Sequence, residues 1–183
     1  MRVMIDACVL YPTVMREVTL GCARAGLFEA RWSARILEEW ARAAAKLGPE
    51  QEVFARGEIA ALAVDFPQAI VAAYNGLEAR LWLPDPNDVH VLAAAVGGSC
   101  DAVLTMNNKD FPGNVLAEEG LFRANPDAFL RGLLEEFPEE VHPIAQRVLD
   151  QANRLSERSW EMRALMKKAR LPRFGKALQA KSQ

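Results

Sequence analysis

Acids and amides fall along this chain at places that suit an oxygen-ligand site. Asp6 follows the apolar run Val3-Met4-Ile5, and Glu38 and Glu39 sit inside a helix-forming stretch. Asp85 and Asp88 precede an alanine-rich segment, while Thr105, Asn107 and Asp110 follow Ala102-Val103-Leu104. Carboxylates gathered on one rim repel: two of them about 4 Å apart cost about 4 kcal/mol at an effective dielectric of 20. A hard divalent cation removes that cost, and Mg²⁺ takes carboxylate, amide-carbonyl and water oxygens. Such a centre carries out metal-assisted hydrolysis, activating water and steadying charge on a phosphoryl oxygen. Zinc is not indicated. His90 and His142, the only two histidines, lie in different segments, and Cys8, Cys22 and Cys100 form no CxxC pair.

Each of these residues also has a plainer reading. Asp6 and Asp88 suit helix caps, yet an aspartate ending an apolar strand is costly to bury without partners. For Asp85, before Pro86, a turn role is preferred. One of Glu38 and Glu39 points inward and the other is a surface charge. His90 reads as a packed or hydrogen-bonded histidine rather than a general base, Cys8 and Cys100 as small buried fillers, and the rings of Trp32, Trp40 and Trp82 as core.

The elements that must position these side chains follow from apolar spacing and punctuation. Val3–Ile5 predicts a buried strand, and Pro12 opens a helix that Gly26 stops. Leu27–Trp32 predicts a second strand, with Ser33 as N-cap of a helix carrying Ile36, Leu37, Trp40, Ala43, Ala44 and Leu47 up to Gly48-Pro49. Residues 50–80 read as further helix, weakly broken at Pro67 and Gly76. The turn 83–88 leads into a helix over 89–96, then a strand over 102–105, a loop over 106–113 and a short strand over 121–124. From 126 onward the pattern is helical. Short strands alternating with helices predict an α/β fold with a mostly parallel sheet, and such sheets gather function at the C-terminal ends of their strands. Asp6 and the residues after Thr105 then share one rim.

At 183 residues, with 51% hydrophobic and 25% charged residues, the chain has the balance of an ordinary globular protein. No apolar run reaches the ~20 residues of a membrane span and no basic leader precedes an apolar stretch, so the expected compartment is the cytoplasm. The net charge of −2 hides an asymmetry. Residues 1–150 hold 13 Lys and Arg against 22 Asp and Glu, whereas residues 151–183 hold 9 against 2. A basic tail on an acidic body suits nucleic acid or an acidic partner, and equally a solvated helical face.

Four pieces in order resemble the PIN-domain nucleases: Val3-Met4-Ile5-Asp6-Ala7-Cys8-Val9-Leu10, Trp32 to Trp40 with Glu38-Glu39, Leu83 to Ala95 with Asp85-Pro86-Asn87-Asp88, and Val103 to Pro112 with Asn107 and Asp110. The resemblance implies a three-layer α/β/α PIN-like fold with a central, mostly parallel sheet over residues 1–130, and a helical, basic C-terminal extension over 131–183. It also implies a Mg²⁺ or Mn²⁺ site and cleavage of single-stranded RNA, as in the VapC-like toxins of toxin–antitoxin pairs. Carried over by position, the family's acids fall on Asp6, Glu39 (Glu38 being the runner-up), Asp88 and Asp110, with Asn107 a further ligand and Thr105 positioning a ligand or water. Many relatives carry Asp where Asn107 stands here, and an amide oxygen adds no charge to a second metal site. The partners implied are an RNA substrate, a cognate antitoxin and a second copy of the chain.

The tail continues as helices with an apolar face and a basic face of Arg154, Arg158, Arg163, Lys167, Lys168 and Arg170. That face suits phosphate contacts to RNA, or docking of an antitoxin or another subunit. Two alternatives to a ribonuclease stand beside it: a catalytically silent PIN-like RNA-binding scaffold, and a haloacid-dehalogenase-like phosphatase. The phosphatase class expects a second Asp two residues after the first, where this chain has Cys8.

Overall fold

The computed structural model describes residues 1–157 and 159–180, so Arg158 of the expected basic face lies outside the described residues. The described chain divides into two compact units, one of Met1–Tyr11 with Phe28–Ala124 and one of Pro12–Leu27 with the chain from Asn125 on.

The first unit is built on a sheet whose five strands all run parallel. Its members are β1 (Arg2–Ile5), β2 (Glu29–Ser33), β3 (Ile70–Val71), β4 (Ala102–Leu104) and β5 (Phe122–Ala124), in the order β3-β2-β1-β4-β5. Val3, Met4 and Ile5 of the central strand are fully buried, as are Ala102, Val103 and Leu104 beside it. Uninterrupted apolar runs are what a parallel sheet covered on both faces requires. Flanking helices complete the three-layer α/β/α arrangement that the strand–helix alternation predicts. They are α1 (Ala7–Leu10), then, after α2 (Thr13–Arg24) of the second unit, α3 (Ala34–Ala45), α4 (Pro49–Asp65), α5 (Asn75–Arg80), α6 (Val89–Gly97) and α7 (Gly113–Glu118).

Local signals place several boundaries. Ser33 Oγ accepts a hydrogen bond from the Ile36 amide at 3.2 Å and starts α3, which buries Ile36, Trp40 and Ala44 one turn apart. Asp6 N donates to Leu104 O at 3.1 Å and Thr105 N to Ala124 O at 3.0 Å, which sets both residues at the C-terminal edge of the sheet.

Three expectations are corrected. Residues 50–80 are not continuous helix: α4 ends at Asp65, and Ile70–Val71 forms β3, paired with Trp32 and Ser33. Pro67 cannot extend the helix, and the free edge of β2 takes up the backbone groups that follow, with Trp32 N donating to Ala69 O at 3.0 Å. The second strand begins at Glu29 rather than Leu27, because the turn around Gly26 extends through Phe28. Trp82 is 65% exposed, unlike Trp32 and Trp40. Leu83 takes the inward place instead, since neighbours in an extended segment point opposite ways.

The second unit joins α2 to α8 (Pro126–Glu136), α9 (Pro138–Arg154), α10 (Met162–Lys168) and α11 (Pro172–Ala180). Helices α2 and α9 approach so closely at Gly21 that a Cβ there would lie 2.5 Å from Ile144 Cγ2. Buried Asp127 of α8 accepts hydrogen bonds from the amides of Arg173 and Phe174 at 3.1 and 2.9 Å, capping α11 from a distant segment. Leu165, Met166, Leu171, Phe174 and Leu178 are buried, while Arg154, Arg163, Lys167, Lys168 and Arg170 are exposed or half-exposed. Lys168 Nζ lies 4.8 Å above the Trp160 ring. Among the described residues no helix is long and apolar enough to cross a membrane.

Candidate metal centre

Asp6 stands where β1 ends and α1 begins, but its carboxylate caps no helix amide. Oδ2 instead accepts from the Thr105 hydroxyl at 2.6 Å and from the Cys8 thiol at 2.9 Å. Thr105 is fully buried just past β4, so this bond ties the ends of adjacent strands together through their side chains. Thr105 Oγ1 also accepts from the Asn107 amide at 3.0 Å, and Cys8 Sγ from the Met106 amide at 3.3 Å. Burial and the Asp6 charge push the Cys8 thiol up to about 12, which keeps its proton available for Asp6. Cys8 therefore does more than fill space. Nothing in a lone, half-buried cysteine two residues after an aspartate signals this locally.

Asp88 likewise makes no cap bond although it precedes α6. Its Oδ2 accepts from the Asn107 side-chain amide at 3.2 Å, and Asn107 Oδ1 accepts from the Asp110 amide at 3.3 Å. Asn107 thereby joins the loop after β4 to the start of α6. Burial, and then the charges of Asp6, Asp85, Asp110 and Glu39, push the Asp88 carboxyl up to about 6. Each of these four acids therefore lies near enough to Asp88 to act on its charge.

One oxygen each of Asp85, Asp88 and Asp110 lie within 4.8 Å of one another, a spacing able to hold an ion. Asp85 also performs the turn role expected of it, with Oδ1 accepting from the Asn87 amide at 2.9 Å and from the Asn87 side chain at 3.0 Å. The two functions coincide because the turn Pro86–Asp88 folds back on itself and brings both aspartates to the same end of α6. The Asp-Pro-Asn-Asp spacing is the available signal for this, although the adjoining proline argues for a turn alone.

The two glutamates separate cleanly. Glu38 pairs with Arg42 at 3.1 Å and Arg56 at 3.0 Å, contacts that hold its carboxyl below the usual range and turn it to solvent. Glu39 Oε1 lies 2.8 Å from His90 Nε2 and 3.7 Å from Arg35 Nε, at the border of the cluster. Of the expected ligands, Asp88 and Asp110 thus meet directly, Asn107 bonds to both, and Asp6 and Glu39 stand around them outside the tight triad. His90 is buried as expected, and neither of its ring nitrogens makes an aligned hydrogen bond.

The family model described as PIN domain matches residues 2–109, which takes in β1 through β4 and every candidate residue but Asp110. No curated protein and no solved structure matches the chain.

Proposed function

The chain belongs to the PIN-domain family, and on that premise we propose that it is a metal-dependent endoribonuclease, the toxin of a toxin–antitoxin pair. The observation that carries this reading is the convergence of one oxygen each of Asp85, Asp88 and Asp110 within 4.8 Å of one another, at a place where burial, and then the charges of four other acids, raise the Asp88 carboxyl to about 6. Charge so concentrated is matched by a bound cation. The donor set fits Mg²⁺ or Mn²⁺: carboxylate oxygens and one side-chain amide, with the nearest thiol, Cys8, kept protonated.

Asp85, Asp88 and Asp110 would hold the ion, with Asp6 and Glu39 completing the acidic wall and Asn107 fixing Asp88 against the 107–110 loop. When bound, the ion lowers the pKa of a water and neutralises charge on the phosphoryl oxygens. Thr105 and Cys8 hold the Asp6 carboxylate in one orientation, which leaves its other oxygen to accept a proton or a ligand bond. Glu39 is held between His90 and Arg35.

The proposed partners are RNA, a cognate antitoxin and a second copy of the chain, acting in the cytoplasm. In functional terms the proposal divides the protein into a nuclease body over 1–130 and an extension over 131–183 that offers its exposed basic side chains to RNA.

Cleavage of a labelled, structured RNA pool tests the core of this reading. It is run with Mg²⁺, with Mn²⁺ and with EDTA, beside Asp6→Asn and Asp88→Asn. Cutting is expected only with metal and is expected to fall at least a hundredfold in either variant, roughly the scale on which one preorganised charge acts. Cutting that persists in EDTA, or in Asp6→Asn, would sink it.

A further inference from the structure

A pocket of about 560 Å³ adjoins the carboxylate cluster, in the same unit and within the size range of small-ligand sites, about 300–1,000 Å³. The segment that carries β3 into α5 forms one wall through Ile70 and Tyr74; Arg35, Glu78 and His90 form the others. It shares a border with the acids. Arg35 lies 3.7 Å from both Glu39 and Glu78 and donates to Asn87 O at 3.3 Å, and His90 Nε2 lies 2.8 Å from Glu39.

Two features make it a built site. The Tyr74 ring lies against Gly97 so tightly that a Cβ there would come within 2.3–2.6 Å of three ring carbons. Only glycine lets the ring take that place. His90, 4% exposed, lines the same pocket with neither ring nitrogen in an aligned hydrogen bond. Nε2 faces the Glu39 carboxylate at 2.8 Å, which leaves Nδ1 as the buried polar atom without a partner; such atoms are nearly always bonded, so Nδ1 is open to a ligand group.

We propose that this pocket seats one unstacked nucleobase of the RNA, next to the phosphate held at the carboxylate cluster. The inference rests on the nuclease reading and adds to it a subsite for the base. An aromatic ring backed by a helix end gives a face on which a base stacks. The imidazole and the Glu78 carboxylate, which line the same pocket, offer polar groups to the base edge, and Arg35 bridges the base pocket and the acidic wall.

Binding separates this inference from the cleavage reaction. The probe is a fluorescent pentaribonucleotide with an abasic site placed at each position in turn, bound to the Asp6→Asn chain in Mg²⁺ and followed by anisotropy. One abasic position is expected to weaken binding about tenfold, the scale of a single stacked base. That difference should vanish in Tyr74→Ala and in Gly97→Ala, which displaces the ring, and return in Tyr74→Phe, which keeps it; thermal melts establish that each variant is folded. If Tyr74→Ala does not fold, the contrast between Gly97→Ala and Tyr74→Phe decides. A scan without any position effect, an effect that survives loss of the ring, or no binding of any oligomer overturns the base pocket. A flat scan would assign the pocket to a protein side chain, while metal-dependent cutting by the unaltered chain, measured separately, would leave the nuclease standing.

Discussion

With its carboxyl pushed up to about 6, Asp88 titrates in a range where most aspartates are fully ionised. The folded chain therefore holds a proton that the unfolded chain, near the ordinary aspartate value of 3.8, has already lost. By linkage the contribution to stability is fully present below 3.8, declines as pH rises through about 6, and is flat above that. In EDTA, the thermal midpoint of the native chain should show this decline between about pH 4 and 7, and Asp88→Asn should flatten it. Above about pH 7 the variant should be the more stable by on the order of 1 kcal/mol, after discounting for solvent screening of a half-exposed group. Mg²⁺ should raise the native midpoint at about pH 7, because an ion that binds only the folded chain stabilises it. Parallel pH curves for the two proteins would remove the repulsion from the account. Asp6 is legible at this scale because an acid ending an apolar strand demands partners, whereas Asp88 and Asp110 are singled out by the family resemblance. The Thr105–Asp6–Cys8 cluster and the second role of Asp85 are not legible. Each depends on where a residue far along the chain arrives in space.

At the scale of elements, α3 is the clearest case of local instruction. Ser33 caps it, Ile36, Trp40 and Ala44 mark its inner face, and that phase carries Glu39 to the border of the cluster while Glu38 pairs with two arginines. Removing the cap with Ser33→Ala should lower stability by about 1 kcal/mol, read as a lower urea midpoint at unchanged slope. An unchanged midpoint would mean that α3 is held by packing alone. The contrast with β3 is instructive. A strand of two residues has no periodicity to read, and Ile70–Val71 is strand only because β2 presents a free edge beside it. Trp82 departs from expectation for a related reason. Its apolarity says buried, whereas the direction of an extended segment gives the inner place to Leu83.

Across the whole molecule, charge is divided along the chain, and Arg154, Arg163, Lys167, Lys168, Arg173 and Lys176 lie on helices of the second unit, of which α10 and α11 bury Leu165, Met166, Phe174 and Leu178. Cutting off residues 154–183 would remove α10 and α11 from the core of their own unit, so weaker binding after truncation would not isolate the charge. Reversing exposed charges does. Arg163→Glu with Lys167→Glu should weaken RNA binding and lower the slope of log affinity against log salt by about 0.7 for each phosphate left without its cation. A slope equal to that of the native chain would assign this face to a protein partner. The parallel α/β architecture, the rim at the strand ends and the place of Asp6 on it can be read from the sequence alone, because apolar periodicity, caps and stranded charges act over a few residues. Folding in three dimensions decides which glutamate faces the cluster and that Asp85 joins Asp88 and Asp110. It also makes β3 a strand, seats Tyr74 against Gly97, and groups α2 with helices far further along the chain. All of these are set by which surfaces meet once the apolar segments are buried, and no short window along the chain contains both partners.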